Sequence, residues 1–170
     1  EKWEGGFVGK GRGGVISISS VSPDTAGKLD ATFADNWALQ KLVLERYDGF
    51  ILVDQVPDGY TWKADNFRLD RLEVAVPPEK SFKRVMGKMI GKGSFKMNPF
   101  FIDGQLTTKS YRWLGVALKK WQLTGSYSDK NYSLTAEIIP PAKGKILINA
   151  DGRIGKEIKA TTVAKDIKPS

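Results

Sequence analysis

The feature that most constrains this chain is an alternation of apolar and polar residues at every second position, in runs cut by Gly, Pro and Asp-Gly. Tyr132, Leu134, Ala136 and Ile138 fall on one side of such a run, and Asn131, Ser133, Thr135 and Glu137 on the other. Just before it, Trp121, Leu123, Gly125 and Tyr127 alternate with Lys120, Gln122, Thr124 and Ser126, and Ser128-Asp129-Lys130 reads as the loop of a β-hairpin. Ile146, Ile148 and Ala150 then alternate with Lys145, Leu147 and Asn149. Asp151-Gly152-Arg153 reads as a turn, and Ile158, Ala160 and Thr162 start another run. A period of two puts successive side chains on opposite faces of a sheet. The pattern therefore predicts an all-β chain, built as an elongated, curled sheet of antiparallel strands.

The same pattern holds upstream. Phe95 and Met97 precede Pro99, which ends that strand, and Ile102, Gly104, Leu106 and Thr108 form the next. Leu72, Val74 and Val76 run into Pro77-Pro78. Residues 42–47, 50–53 and 60–69 read as strands separated by turns at Asp48-Gly49 and Pro57-Asp58-Gly59, and 15–20 and 29–33 as two more. Residues 1–80 thus read as a β-rich segment continuing the sheet of residues 81–170. Helical spacing surfaces twice. Phe82, Val85, Met86 and Met89 in the stretch 81–90 fit a short helix or an irregular strand, and residues 38–45 are a weaker helical candidate. Gly87, Gly91 and Gly93 count against a long helix, each costing about 1 kcal/mol relative to Ala.

Composition removes much chemistry. The chain has no His and no Cys, so it lacks an imidazole base, a thiolate nucleophile and the usual zinc and copper ligands. Hydrophobic residues at 41% and charged residues at 27% are ordinary for a globular protein. No stretch approaches the roughly 20 apolar residues of a spanning helix. The start at Glu1-Lys2-Trp3 suggests a piece of a longer protein, with any membrane anchor outside it. A net charge of +8 suggests a polyanionic partner, yet the lysines of the second half are scattered along the chain and read as a solvated surface.

No motif points to catalysis. The glycines of 9–14 match a dinucleotide-binding pattern, but strand-like Val15-Ile16-Ser17-Ile18 stands where a helix N-terminus is needed, so a loop or hairpin turn is expected. Around Gly87 to Ser94 the phosphate-loop spacing fails. Asp48 with Asp54 or Asp58 could form a carboxylate pair, but these read as turn residues. Catalytic residues, metal ligands and cofactors are all expected to be absent. Trp3, Trp37, Trp62, Trp113 and Trp121 fit core packing or an apolar ligand better than base stacking, because Trp121, Tyr127 and Tyr132 share a face with few lysines.

From Gly91 the chain reads GKGSFKMNPFFIDGQLTTKSYRWLGVALKKWQLTGSYSDKNYSLTAEI, followed by KGKILINADGRIG and KEIKATTVAKDI. The ordered pieces Gly91 to Phe95, Gly104-Gln105-Leu106, Leu114-Gly115-Val116, Gly125-Ser126-Tyr127, 131–136 and 152–155 resemble repeated segments of the TamB family, within the AsmA-like superfamily, particularly its cyanobacterial members. The resemblance spans roughly Met86 to Ile167, about half of the chain. It implies a curled β-groove with an apolar concave face, in a periplasmic protein anchored in the inner membrane. It also implies a BamA-like outer-membrane barrel as partner, phospholipid or unfolded outer-membrane protein as client, and no enzymatic activity.

The residues support the physical part of this independently. A strand of about 8 residues spans roughly 27 Å, and each methylene withdrawn from water contributes about 0.8 kcal/mol, so an apolar trough can hold an acyl chain without polar contacts. The expected groove residues are Phe95, Met97, Ile102, Leu106, Trp121, Leu123, Tyr132, Leu134, Ile146 and Ile148. Alternation does not reveal what the apolar face meets, so a closed sandwich or barrel stays open as a fold. The alternative function is a basic nucleic-acid-binding β-barrel, the less favoured partner class.

Overall fold

A computed structural model of the chain describes residues 3–10, 13–20, 27–69, 72–76, 81–113, 116–141, 143–156 and 158–166. These form thirteen strands and no helix. The first half holds β1 (Trp3–Lys10), β2 (Gly13–Ser20), β3 (Gly27–Phe33), β4 (Leu39–Arg46), β5 (Gly49–Val56), β6 (Gly59–Arg68) and the short β7 (Leu72–Val76). The longest strands follow: β8 (Ser81–Met97), β9 (Phe100–Trp113) and β10 (Val116–Ser128). β11 (Asn131–Ile139), β12 (Lys145–Arg153) and β13 (Ile158–Lys165) complete the set.

Every pairing is antiparallel, and the spatial order follows the chain from β1 to β13 with β7 set aside. Strand β8 is long enough to take two partners on one edge, β6 along Lys88–Phe95 and β7 along Ser81–Val85. The strands of residues 1–80 and 81–170 therefore stand in one sheet, joined where β6 meets β8. The glycines of 9–14 lie in the β1–β2 hairpin, with Gly9 opposite Gly14 and Lys10 opposite Gly13.

One expected turn is corrected and two open alternatives are decided. Residues 81–90 are strand, as are 39–45 of the weaker helical candidate. Strand β8 pairs with β7 over Ser81–Val85 and with β9 from Met86 onward, so the sheet takes up backbone groups that a helix would have satisfied internally. Its pairing with β9 shifts register between Met86 and Lys88, at Gly87 with φ +130°. Such a shift interrupts the period of two and sets apolar residues three apart, imitating a helical repeat. Asp151-Gly152-Arg153 is likewise strand, paired with β11 and β13. The turn falls after it, where Gly155 takes φ +81° and Lys156 N–H donates to the Arg153 carbonyl at 3.0 Å. Finally, the sheet is not closed: β1 and β13 end the pairing order without meeting. The closed barrel and the sandwich are both set aside, since contacts between described elements run between sheet neighbours, apart from one between β4 and β6.

This architecture leaves little interior. The accessible surface is 11609 Å² for 18.8 kDa, against ~8300 Å² for a compact monomer of that mass. Among the described residues the buried apolar set is only Ala31, Ala64, Phe67, Leu69 and Ala136. Phe67 and Leu69 form a small core, with Leu44, Ile51, Met89 and Trp121 packed against it. These residues come from strands as far apart as β4 and β10, so the sheet curls toward that face.

Candidate functional site

Directly paired residues of an antiparallel sheet share a face, so the registers define the two faces. One face carries Ile16 and Ile18 of β2, Leu29 and Ala31 of β3, Leu42 and Leu44 of β4, and Ile51 and Val53 of β5. It continues through Trp62 and Ala64 of β6 into Gly91, Gly93 and Phe95 of β8. All ten expected groove residues stand on this face. Phe95 opposes Ile102, and Leu106 opposes Leu123. Trp121 and Leu123 oppose Ile138 and Ala136, while Leu134 opposes Gly125. Ile146 and Ile148 oppose Ile138 and Ala136, and Met97 lies opposite Phe100.

Across the strands the face has three zones. At the hairpin end the Tyr60 and Phe95 rings stack with centroids 4.9 Å apart, and Phe100 lies 5.7 Å from Tyr127. Tyr132 is paired with Tyr127 there. In the middle a single cross-strand row runs Trp62, Gly93, Gly104, Gly125, Leu134, Ala150. The Trp62 indole lies over the first two glycines: a Cβ at Gly93 would stand 2.6 Å from Nε1, and one at Gly104 2.6 Å from Cζ2. Leu134 closes the row from the other side, 3.1 Å from where a Gly125 Cβ would be. At the far end, beyond the row of Ala64, Gly91, Leu106 and Leu123, Phe67, Met89, Thr108 and Trp121 form a further row, with Thr108 fully buried.

A trough of about 380 Å³ opens over the glycine row, its walls almost wholly apolar. Ile102, Leu106, Leu123, Tyr132 and Leu134 line it together with Trp62. Phe95 and Trp121 pack at its two ends, Met97 stands apart at 69% exposure, and Ile146 and Ile148 extend the face beyond it. The Thr108 hydroxyl and the Tyr132 phenol are buried without a hydrogen-bond partner. Phe100 at 49% and Ile102 at 39% exposure show how far the face is open to solvent.

The opposite face is polar and internally tied. Ser17 donates to Asp30 at 2.6 Å, Ser94 to Asp103 at 2.6 Å and Thr135 to Asn149 at 3.0 Å, while Lys145 pairs with Glu137 at 2.9 Å. A wider depression of about 800 Å³ lies on this face over the same glycines. Its walls include Leu52, Thr61, Lys63, Lys92, Gln105, Thr124 and Ser126, so hydroxyl, amide and ammonium groups line it together with apolar atoms. Asp48, in the β4–β5 turn, accepts from Lys88 at 2.8 Å and from Asn66, and the Lys88 ammonium holds its carboxyl below the usual aspartate range. Asp54 and Asp58 form no such arrangement, and no group of three metal-ligating side chains occurs among the described residues.

The sequence marked Trp62 for core or apolar-ligand packing but did not place it in the groove, and it gave no sign of the glycine row. Trp62 is local to its own strand, and only the register sets it beside residues 31 and 42 positions away. The class these features define is an open, single-layer antiparallel sheet with one apolar and one polar face. Compared with known proteins, the chain matches no family model, no curated protein and no solved structure. The TamB-like reading thus rests on the segments quoted from the sequence.

Proposed function

We propose that this chain is a non-enzymatic module of a TamB-like cell-envelope protein whose apolar sheet face carries or shields lipid acyl chains or outer-membrane protein strands. One observation carries the reading: an apolar face that crosses the sheet and is left half-open, with a trough walled by Trp62, Leu106, Leu123 and Leu134. Acyl chains need no polar contacts, and transfer of each methylene out of water favours occupancy by about 0.8 kcal/mol. In the parent protein the same face would continue toward a BamA-like barrel in the outer membrane, with the module in the periplasm. Nothing in this role requires a base, a nucleophile or a metal.

A photo-crosslinking amino acid tests it. Placed at Leu134 or Ile148 in the parent protein in cells, it is expected to capture phospholipid or an unfolded outer-membrane protein. The same probe at Thr135 or Leu147, on the opposite face, is expected to capture neither. Equal capture from both faces, or none from Leu134 and Ile148, sinks the groove.

A further inference from the structure

The depression on the polar face has a regular build. Cross-strand partners put Asp54, Thr61, Ser94, Asp103, Ser126 and Ser133 in one row, running from β5 to β11. Two residues along each strand, a second row runs Leu52, Lys63, Lys92, Gln105, Thr124 and Thr135. Each of the five strands β6, β8, β9, β10 and β11 thus sets one hydrogen-bonding side chain on either side of the central row that holds the glycines. The two rows are the walls of a trench of about 800 Å³, and Gly93, Gly104 and Gly125 stand at its floor. From strand geometry the walls are roughly 7 Å apart and the trench is roughly 24 Å long, with a step of about 4.8 Å from each strand to the next.

Only some of these side chains are engaged within the protein. Ser94 donates to Asp103 at 2.6 Å, Thr135 donates to Asn149 at 3.0 Å, and Lys63 lies 3.9 Å from Asp65. Thr61, Lys92, Gln105, Thr124, Ser126 and Ser133 are exposed and have no side-chain hydrogen bond or ion pair among the described residues. Each of the five strands therefore offers the trench at least one free donor or acceptor. The charges on the walls cancel, Lys63 and Lys92 against Asp54 and Asp103. Leu52 and the glycine backbone add apolar atoms between the polar groups.

We propose that this trench is a binding site for a neutral, extended glycan chain. Its hydrogen-bonding groups recur on both walls, and a pyranose carries hydroxyls on both of its edges. Its floor is bare backbone, against which the C–H face of a sugar ring can lie. Its step matches a β-1,4-linked chain, which advances by about one strand spacing per sugar, whereas an extended polypeptide advances roughly 3.3 Å per residue and falls out of step. Walls of cancelled charge suit an uncharged ligand, while a nucleic acid draws its affinity from a net positive surface. An acyl chain would leave the free hydroxyls and the Gln105 amide without partners, at the full cost of their desolvation. The trench is on the opposite face from the apolar trough, so the inference stands independently of what occupies that trough.

Isothermal titration of the 170-residue chain with cellohexaose and with chitohexaose tests it. At least one of the two is expected to bind, with little dependence on salt and more tightly than its own disaccharide. Maltohexaose, whose α-linkages curl the chain, is expected to bind more weakly. Each neutral hydrogen bond lost from a site weakens binding about fivefold, so Q105A/T124A/S126A is expected to weaken it on the order of a hundredfold. S19A/S128A/T161A removes hydroxyls from exposed positions of the same face outside the trench and is expected to leave binding unchanged. No binding of either hexaose, binding that is lost at high salt, maltohexaose binding as tightly, or equal losses in the two triple variants overturns the proposal. So does a single-stranded oligonucleotide or a serine-rich peptide that binds more tightly through the same three side chains. Should the trench variant fail to fold, Q105A alone and the chain-length series decide.

Discussion

Gly93 and Gly104 are side-chain-free because two backbones and one indole occupy the space where their Cβ atoms would be. A methyl group at Gly104 would stand 2.6 Å from Trp62 Cζ2 and 3.0 Å from the Lys92 carbonyl oxygen. At Gly93 it would meet the Asp103 carbonyl and lie 2.7 Å from the Gly104 Cα. Relief requires moving a strand or a ring, which costs about 1–3 kcal/mol in a packed site. Gly104→Ala and Gly93→Ala are therefore expected to lower unfolding stability by that amount in urea titrations. Gly6→Ala has nothing within 4 Å of its new carbon and is expected to change stability by less than about 0.5 kcal/mol. A neutral Gly104→Ala would show that Trp62 does not lie over the row.

At the scale of elements, the hairpins set the register and so decide which residues meet. Between β10 and β11 the two turn residues Asp129 and Lys130 have φ +45° and +65°, the pattern of a type I′ turn. Lys130 lacks the freedom of glycine in that region, a cost of about 1 kcal/mol. Lys130→Gly is expected to raise the melting temperature by roughly 2–4 °C; a fall would mean that the lysine side chain contributes more than its backbone costs. The β4–β5 turn is tied across to β8 through Asp48 and Lys88. Because the folded-state carboxyl of Asp48 sits below its ordinary value, the tie stabilises above the unfolded aspartate pKa and is lost as pH falls through the folded one. Comparing acid unfolding of the parent with Asp48→Asn checks this. The parent should lose stability below about pH 4 more steeply, and parallel curves would remove Asp48 from the account. Asp48 is exposed, so the effect belongs to the modest range of surface ion pairs.

For the whole molecule, openness is what makes the apolar face available. A single layer exposes both faces along its length, so the trough on one side and the hydrogen-bonded polar groups on the other are both accessible. In a barrel or sandwich the first would be core. The crosslinking contrast between Leu134 and Thr135 is a test at this scale, since it depends on which side of one sheet a residue stands.

What was legible in the sequence follows from what is local. Face membership is a property of a strand's own alternation, and Phe95 through Ile148 stand on one face because a period of two needs no partner to be read. The all-β class and nearly every strand came from the same signal. It left 81–90 undecided between helix and strand, where the shift at Gly87 broke the period, and it failed at Asp151-Gly152-Arg153, where the turn residues were displaced by three positions. Only the tertiary structure decided the rest. Alternation carries no record of what a face meets, so it left open whether the sheet closes. Register depends on turn lengths and bulges spread over the whole chain, so it alone laid Trp62 over Gly93 and Gly104. The same registers gathered Thr61, Lys92, Gln105, Thr124 and Ser133, dispersed over more than seventy residues of sequence, into the walls of one trench.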